Sequence, residues 1–247
     1  MIYTTFAEVY DRLMDDSLYS RWCDYVTARV APRGQRLLEL AGGSGSLAVL
    51  LAQAGFAVTD LDLSGDMLAL AEPKIEAAGV DVPLVQGDML ALDAIGLAPF
   101  DVVTCFDDSL CYMPDLASVA QVFQQVAKLL PAGGDFFFDA HSLHQMDDIF
   151  PGFMYNDQTE TQAFLWTSYE GEVPHSIEHD LTFFLYDEAI DAYHPLAETH
   201  KERTYPQADF EKTLAQAGFK LVSATADFGK ATITPASTRW FFHARKE

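Results

Sequence analysis

The sequence predicts an α/β fold: a doubly wound, mostly parallel seven-stranded sheet with a small antiparallel β insertion. From about residue 18 to 142, short apolar runs alternate with amphipathic stretches, which is typical of parallel strands covered by helices on both faces. After His141 this alternation stops, and it resumes at Pro206. The chain then closes with two strands that no helix separates, which predicts an antiparallel last strand.

The first part of the chain contains five predicted strands with three helices between them. The strands are Gln35–Leu40, Phe56–Leu61, Val82–Gln86, Phe100–Phe106 and Gly134–Asp139, and the helices are Ser46–Ala54, Gly65–Ala78 and Asp115–Leu130. In an open sheet of this kind, ligands bind at the carboxyl ends of the strands. The residues that follow each strand are therefore the candidates for a binding site.

The later part of the chain contains an insertion and the end of the main sheet. Residues 143–205 form the insertion, with long aromatic-rich strands predicted at Ala163–Tyr169, Ser176–Tyr186 and Tyr193–His200. A helix is predicted over Pro206–Ala217, because proline suits a helix start and Gly218 suits its end. Strands Phe219–Ala226 and Thr238–Ala244 complete the sheet, so residues 1–142 and 206–247 form the main domain.

Composition narrows the classes of function. The formal net charge is −22, with 15 basic residues against 37 acidic ones, and nucleic-acid binding depends on basic residues that neutralise phosphates. Nucleic acid is therefore not an expected partner. The three cysteines form no C-x-x-C pair, which argues against a disulfide framework and a zinc site. Without a signal-like start or an apolar run of membrane length, we expect a cytoplasmic protein, and its oligomeric state stays open.

The first two strands end in residues suited to a nucleoside cofactor. The glycine-rich stretch Ala41–Gly45 follows the first strand, and glycines there let the backbone approach a ligand closely. Asp62 follows the second strand, 17 residues after Gly45 (62 − 45). This is close to the spacing of a carboxylate that accepts from both ribose hydroxyls of an adenosine. The alternative role for Asp62 is a helix N-cap, which Ser64 is better placed to provide.

The third strand ends in Gln86–Leu90. Asp88 is placed to accept a hydrogen bond from an adenine amino group, while Met89 packs against the ring. The alternative is that Asp88 belongs to an ordinary turn beside Gly87.

Taken together, these segments are similar to the successive motifs of class I S-adenosylmethionine (SAM)-dependent methyltransferases of small-molecule type. The motifs LLELAGGSGSLAVLLAQAG, VTDLDLSGDML, VQGDML and FDVVTCFDDSLCYM match in order and spacing over residues 36–139. The resemblance implies SAM as the cofactor and a small molecule as the methyl acceptor. It also implies cofactor contacts from Glu39, Ala41, Gly42 and Gly43 at the methionine part, Asp62 at the ribose, Asp88 and Met89 at the adenine, and from Leu63 and Phe106.

The family usually has glycine where this chain has Ala41. Alanine is harmless there if φ is negative, so we expect slightly different loop packing and retained binding. The N-terminal segment Phe6–Met14 is similar to the opening of small-molecule methyltransferases, which implies that Tyr10 closes over the cofactor; the alternative is that its aromatic residues anchor the N-terminal helices. Trp22 follows this segment, and it either contacts the cofactor or anchors the N-terminal helices.

Asp108 and His141 are the candidates for acceptor chemistry. Asp107 and Asp108 either orient an amine or cap the next turn, and the pattern slightly favours the turn. His141 follows the fifth strand, as a base or as a hydrogen-bonded structural histidine. His175 and His179, four residues apart in a predicted strand, would have Cα atoms about 13 Å apart and would not bind one ion together. We therefore expect no metal site.

Two other functions fit parts of the pattern. Gly43–Ala48 matches G-x-G-x-x-A, which would suit a nicotinamide-dependent oxidoreductase, although the Gly-Asp-Met turn and the final strand pair argue against it. A non-catalytic SAM-binding regulator is the second alternative. The insertion carries eight aromatic residues that bury against the main domain, cap an acceptor pocket or meet a second subunit: Phe153, Tyr155, Phe164, Trp166, Tyr169, Phe183, Phe184 and Tyr186.

Overall fold

The computed structural model describes residues 15–247, which form two β-sheets and the helices that cover the larger one. The helices are α1 (Asp16–Thr27), α2 (Ser46–Gln53), α3 (Gly65–Ala78), α4 (Leu92–Ile95), α5 (Leu116–Leu129) and α6 (Gln207–Gln216). The strands of the larger sheet are β1 (Arg36–Leu40), β2 (Ala57–Asp62), β3 (Leu84–Gln86), β4 (Val102–Cys105), β5 (Asp135–His141), β10 (Phe219–Thr225) and β11 (Arg239–Lys246). The smaller sheet consists of β6 (Met154–Gln158), β7 (Gln162–Glu170), β8 (Ser176–Asp187) and β9 (Ala192–Arg203).

The larger sheet has the order β10-β11-β5-β4-β1-β2-β3. Strands β1 to β5 pair in parallel, whereas β11 is antiparallel to both of its neighbours, β5 and β10. Among the described residues, the connection from β10 to β11 contains a single 3₁₀ turn and no α-helix, so the chain does not cross over the sheet before it returns. The predicted fold class is confirmed, including the reversed last strand.

The core lies on both faces of β5, whose seven residues are all buried. Phe136 and Phe138 contact Phe123 of α5 on one face, and Phe137 contacts Tyr25 of α1 on the other. Phe242 of β11 stacks on Phe138 with ring centroids 4.6 Å apart. Aromatic packing thus fixes β11 beside β5 and sets the position of the residues at its start.

Side-chain caps define the starts of several helices, as the sequence indicates. Asp15, Ser64 and Asp115 accept hydrogen bonds from the backbone N–H groups of Ser17, Met67 and Ser118. Helix α3 has the predicted bounds, and Ser64 is its N-cap, as expected. Gly218 has the left-handed φ of 85° that a residue after a helix end favours.

The insertion forms a separate antiparallel sheet with the order β6-β7-β8-β9. Three of its strands match the prediction, and β8 and β9 are each 12 residues long. Strand β6 was not predicted, because its sequence MYNDQ is exposed throughout and lacks an apolar alternation. One face packs towards the main domain, where the rings of His141 and Phe150 lie with centroids 5.0 Å apart.

The aromatic residues of the insertion differ in burial. Phe164 and Phe183 are stacked and buried in a cluster of the insertion's own residues, whereas Tyr155, Tyr169 and Phe184 are exposed. The expectation of burial against the main domain is met by Trp166, which packs against the main core. Within residues 15–247, no helix combines the length and apolar character needed to cross a membrane.

We expect Phe242→Ala to lower the free energy of unfolding by about 3–5 kcal/mol, because it removes a buried ring that stacks on Phe138. Chemical denaturation measures this change. Phe184→Ala is the matched control, since its ring lies on the exposed face of the insertion and should contribute less than about 1 kcal/mol. Equal losses in the two variants would show that the stacked pair is not central to stability.

Candidate functional site

The loop after β1 is a left-handed turn at the carboxyl edge of the sheet. Ala41, Gly43 and Gly45 have φ values of 54°, 59° and 74°. The condition of a negative φ at Ala41 is therefore not met, and this alanine takes a conformation that L-residues adopt at a cost of roughly 1–2 kcal/mol. The backbone N–H of Gly42 ties the turn to β2 by a 3.2 Å hydrogen bond to the carbonyl of Leu61.

Close packing below the loop explains two of its glycines. A Cβ atom on Gly42 would lie 1.9 Å from Oδ1 of Asp60, and one on Gly45 would lie 2.7 Å from the Cβ of Ala71. The backbone of the loop thus rests directly on β2 and α3. Above Gly43, by contrast, a Cβ would meet no atom of the described residues within 4 Å, so this part of the loop is open to a ligand.

Asp62 joins the glycine loop to the end of β2. Its carboxylate accepts hydrogen bonds from the backbone N–H of Gly43 at 2.8 Å and of Ser64 at 2.7 Å. Burial raises the pKa of Asp62, and the N–H donors of Ser64 and Gly43 oppose that increase. The structure brings Asp62 to the loop, as predicted, while its contact with a ribose stays a prediction.

Glu39 and Asp60 form a buried acidic pair beneath the loop. They are direct neighbours across the β1–β2 register, and both side chains are inaccessible to solvent. Within residues 15–247, neither oxygen of Asp60 nor Oε2 of Glu39 has a hydrogen-bond partner. Burial, with the charge of Asp62 added, raises the pKa of Asp60 to about 7, and burial beside Asp60 raises the pKa of Glu39 well above its ordinary value.

The predicted adenine side of the site is open to solvent. Asp88 is exposed and accepts a hydrogen bond from the backbone N–H of Leu90 at 2.8 Å, so its side chain forms the turn that was the alternative. Met89 is half-buried, and Leu63 is 68% exposed although it is apolar. These residues form an uncovered rim beside the loop, and their contacts with an adenine stay predictions.

Trp22 and Phe106 are both buried in the core behind this edge. Their rings stack with centroids 6.1 Å apart, and Nε1 of Trp22 donates a 2.7 Å hydrogen bond to Oδ2 of Asp139. Trp22 therefore anchors α1, one of the two roles considered for it, while a cofactor contact stays a prediction. Tyr10 lies outside the described residues.

An ion-pair cluster occupies the carboxyl ends of β4 and β5. Arg239, the first residue of β11, contacts carboxylate oxygens of Asp107, Asp108 and Asp139. Asp108 has a left-handed φ of 49°, and its side chain makes no capping hydrogen bond to the turn that follows. The preference for a turn cap at Asp108 is thus wrong. Its carboxylate pairs with Arg239 instead, and its backbone N–H donates to Asp139.

His141 meets Asp108 on one side and the insertion on the other. Its Nε2 atom lies 3.2 Å from Oδ2 of Asp108 and 3.5 Å from Oε2 of Glu202, a residue of β9. Thr204 also fastens the insertion here, because its hydroxyl donates a 2.6 Å hydrogen bond to the backbone carbonyl of His141. The ligand-type atoms of Asp108, His141 and Glu202 all lie within 4.8 Å of one another.

Glu202, Arg239 and Asp139 were not predicted as site residues. Strand alternation was an available signal for Glu202, since it shares a face of β9 with His200 and Glu198. His175 and His179 do not meet: His175 contacts Asp147, whereas Nε2 of His179 lies 3.7 Å from Glu202.

Electrostatics in the cluster follow from burial and pairing. Burial alone would raise the pKa of Asp108, but Arg239 and His141 outweigh it and hold that pKa well below its ordinary value. Burial raises the pKa of Glu202 well above its ordinary value, and the charge of Asp108 adds to the increase. Burial, with His141 adding to it, lowers the pKa of His179 to about 4. At neutral pH, Asp108 is ionised and His179 is uncharged.

A cavity of about 470 Å³ opens beside this cluster. Its walls come from α1, the connection between β10 and β11, and the start of β11, and include Trp22, Phe228 and Arg239. Arg239 therefore lies between the open cavity and the buried carboxylates.

The chain is similar to methyltransferases over its whole length. The family model "Methyltransferase domain" matches residues 37–134. A "Putative methyltransferase" of Geobacillus sp. (strain WCH70) is 38% identical, with all of both chains covered. "Putative methyltransferase YqeM" of Bacillus subtilis (strain 168) is 36% identical over all of this chain and 98% of its own. The chain belongs to this methyltransferase family.

A solved structure supports the same assignment for the fold of this methyltransferase. An S-adenosylmethionine-dependent methyltransferase from Clostridium acetobutylicum ATCC 824 superposes with a TM-score of 0.84 at 25% identity. The match covers 99% of this methyltransferase and 98% of the other chain, so it includes the insertion as well as the main sheet.

We expect Ala41→Gly to raise the free energy of unfolding of the methyltransferase by about 0.5–1 kcal/mol. Glycine relieves the left-handed strain, although it also gives the unfolded chain more freedom. Ala54→Gly is the control, because Ala54 has a φ of −69° and should lose about 0.5–1 kcal/mol on the same substitution. Destabilisation of both variants in chemical denaturation would contradict the strain at Ala41.

We expect the buried pair to make stability fall with rising pH. Folding raises the pKa of Asp60 from 3.8 to about 7, so between these values the folded state holds a proton that the unfolded state has released. Stability is therefore lost as pH rises through this range, by up to about 1.4 kcal/mol per pH unit. Denaturation at pH 5 and pH 8 should show a smaller loss in Asp60→Asn than in the wild type.

The exposed Asp81→Asn variant serves as the control for this comparison, since it should keep the wild-type pH dependence. If the stability of Asp60→Asn changes with pH as that of the wild type does, the claim that the folded protein holds a proton on the Glu39–Asp60 pair is refuted.

Proposed function

We propose that this methyltransferase transfers a methyl group from SAM to a small-molecule acceptor. The observation that carries the proposal is the position of the glycine loop. The loop follows β1, whose two neighbours β2 and β4 lead the chain to opposite sides of the sheet. Ligands of doubly wound sheets bind at this reversal of strand order, where the loops after β1 and β4 separate.

The residues around the loop fit SAM. Gly42 and Gly43 present backbone beside an open space, Asp62 is the carboxylate for the ribose, and exposed Leu63 with half-buried Met89 offers apolar surface for the adenine. Glu39 has a buried carboxyl oxygen that no group within residues 15–247 satisfies, which suits an amino group of the cofactor. When bound, SAM supplies a methyl group on a positively charged sulfur.

The contribution of the chain to the reaction is alignment and exclusion of water. Methyl transfer from sulfur is an in-line displacement, so an enzyme gains most from holding the acceptor atom near the methyl group. Phe106 and Asp108, after β4, place backbone and a carboxylate at the edge where that atom would lie. Asp108 and His141 are the catalytic candidates, with His141 placed to accept a proton from the acceptor.

The insertion serves as the cap of the acceptor site. It places Glu202 and His179 over His141 and is fastened there by Thr204. The nicotinamide alternative receives no support, because the antiparallel β11 and the methyltransferase relatives both argue against it. The second alternative is a protein that binds SAM without catalysing methyl transfer. SAM binding without measurable turnover would indicate it. Exclusion of nucleic acid as a partner stays a prediction, which salt-sensitive retention on DNA or RNA would refute.

We expect Asp62→Ala to weaken SAM binding by about 1.5–3 kcal/mol, since it removes a charged hydrogen-bond partner. Isothermal calorimetry should then show roughly a 10- to 150-fold higher dissociation constant. Asp81→Ala, at an exposed position distant from the loop, should leave the affinity unchanged. An unchanged affinity in Asp62→Ala would remove the ribose assignment. Asp62 also accepts hydrogen bonds from Gly43 and Ser64, so the substitution can disorder the glycine loop. An unchanged thermal unfolding midpoint in Asp62→Ala would show that the lost affinity comes from the ribose contact.

We expect a variant with residues 145–200 replaced by a short loop to keep SAM affinity and lose acceptor turnover. The loop replaces most of the cap, whereas the glycine loop and Asp62 lie in the main domain. Calorimetry with SAM and a screen of metabolite pools for SAM-dependent mass gain measure the two functions. A shortened protein with full turnover would show that the insertion is peripheral.

A further inference from the structure

The cluster of Asp108, His141 and Glu202, hereafter the acceptor triad, suits one chemical class of acceptor. Its three acceptor-type atoms, a carboxylate oxygen on each side of an imidazole nitrogen, lie within 4.8 Å of one another. An –NH₃⁺ group carries three N–H donors around one small centre. Atoms this close can each receive one of those donors from a single nitrogen.

The charge of the region also favours a cation. Four carboxyl groups gather here, those of Asp107, Asp108, Asp139 and Glu202, and the guanidinium of Arg239 contacts the first three. Glu202 has no direct ion pair with that guanidinium, and the charge of Arg239 and a hydrogen bond with Tyr112 oppose, without outweighing, the effect of burial on its pKa. Buried carboxylates without a nearby positive charge are costly, so the site gains more from a cationic guest than from a neutral one.

Glu202 is the residue that points most directly to a guest. It is 6% exposed, and within the described part of the chain its Oε2 atom makes no hydrogen bond. This oxygen lies 3.5 Å from Nε2 of His141, which is close but longer than a normal hydrogen bond. Buried polar atoms in folded proteins are almost always paired, so this oxygen is a candidate to receive a donor from a bound molecule.

We propose that the acceptor is a primary amine, bound as its ammonium ion by the acceptor triad. This inference rests on the proposed methyl transfer, and it names the class of molecule that receives the methyl group. Asp108 and Glu202 accept from the ammonium, and His141, in the tautomer protonated on Nδ1, accepts its third N–H on Nε2. An alcohol has a single O–H donor and no charge, so it would leave two of these acceptors unsatisfied.

The triad also provides the proton transfer that an amine requires. One N–H bond of the ammonium breaks, its proton moves to Nε2 of His141, and the electron pair of that bond becomes the lone pair of the neutral amine. That lone pair forms the N–CH₃ bond while the S–CH₃ bond of the donor breaks and leaves its electrons on sulfur. The product is a methylated ammonium ion and a neutral thioether, and charge is balanced by the protonated His141.

The same three groups match the ligand types of a divalent cation, which is the competing explanation. The guanidinium of Arg239 pairs with Oδ1 of Asp108, so it repels a doubly charged metal ion on that carboxylate more strongly than a singly charged ammonium. The observations therefore favour an ammonium, with hydrogen-bond donors, over a bare metal ion.

Matched pairs of small probes test the proposal on the full-length protein. We would titrate cyclohexylammonium against cyclohexanol and benzylammonium against benzyl alcohol, with and without S-adenosylhomocysteine. The readout is the NMR signal of the His141 ring, assigned through its loss in His141→Gln. We expect each ammonium ion to bind at least tenfold more tightly than its alcohol. Equal binding within both pairs would overturn the proposal.

Glu202→Gln keeps the shape of the side chain and removes the carboxyl group that can ionise when a cation binds. We expect it to reduce the ammonium preference at least tenfold while SAM affinity stays as in the wild type. Glu178→Gln is the matched control, because Glu178 lies on the other face of the insertion, paired with Lys201. If Glu202→Gln fails to fold, the wild-type comparison of ammonium ion with alcohol still decides the question. Undiminished ammonium preference in a folded Glu202→Gln protein would count against the triad.

A metal titration separates the competing explanation. Electron paramagnetic resonance detects Mn²⁺ bound at the triad. The amine proposal would be overturned if Mn²⁺ binds there and the ammonium preference disappears in EDTA. A preference that persists in EDTA supports it. SAM affinity is measured on the same samples. If SAM does not bind, the proposed function is refuted. The ammonium preference is measured without cofactor, so it tests the acceptor triad independently of SAM binding.

Discussion

The guanidinium of Arg239 is the positive charge on which the carboxyl edge of the sheet depends. It stands at the first residue of the antiparallel strand β11 and contacts carboxylates carried by the ends of β4 and β5. Without it, Asp108 and Asp139 would be buried anions with no nearby cation, and breaking a buried pair in this way is strongly destabilising. The reversed strand thus does more than complete the sheet, because its direction brings its first residue to the ends of the parallel strands. Trp22 then reaches the same Asp139 from α1 and fastens the helix to that edge.

Beneath the glycine loop, negative charge is handled differently. Asp60 and Glu39 have no cation beside them, and burial raises the pKa of both carboxyl groups. Protonation, not an ion pair, makes their burial tolerable at lower pH. The loop above them has a glycine at position 42, since the carboxyl of Asp60 occupies the space that a side chain there would need.

Much of the fold was predictable because it depends on local signals. Helix Gly65–Ala78 was predicted with its observed bounds, since Ser64 caps its start and Gly79 its end. The glycine loop and Asp62 followed from their spacing. What could not be predicted depends on contacts between distant residues. The pairing of Asp108 with Arg239, for example, requires β11 to lie beside β5. Glu202 gave a weak signal, because one buried acid in a mostly polar strand resembles an exposed residue until the sheet is docked. Strand Met154–Gln158 gave none, as all its residues are exposed.

The attachment of the insertion also has a consequence for the order in which the two halves of the site are assembled. Gly43 and Asp62, which shape the cofactor loop, are 19 residues apart in the chain. Asp108 and Glu202 are 94 residues apart (202 − 108), and they meet only when β9 lies against the end of β5. Closing a long loop costs more entropy than closing a short one, and contacts of high sequence separation form slowly during folding. During folding, the cofactor loop therefore forms before Asp108 and Glu202 come together. The complete site forms only when the sheet of the insertion docks.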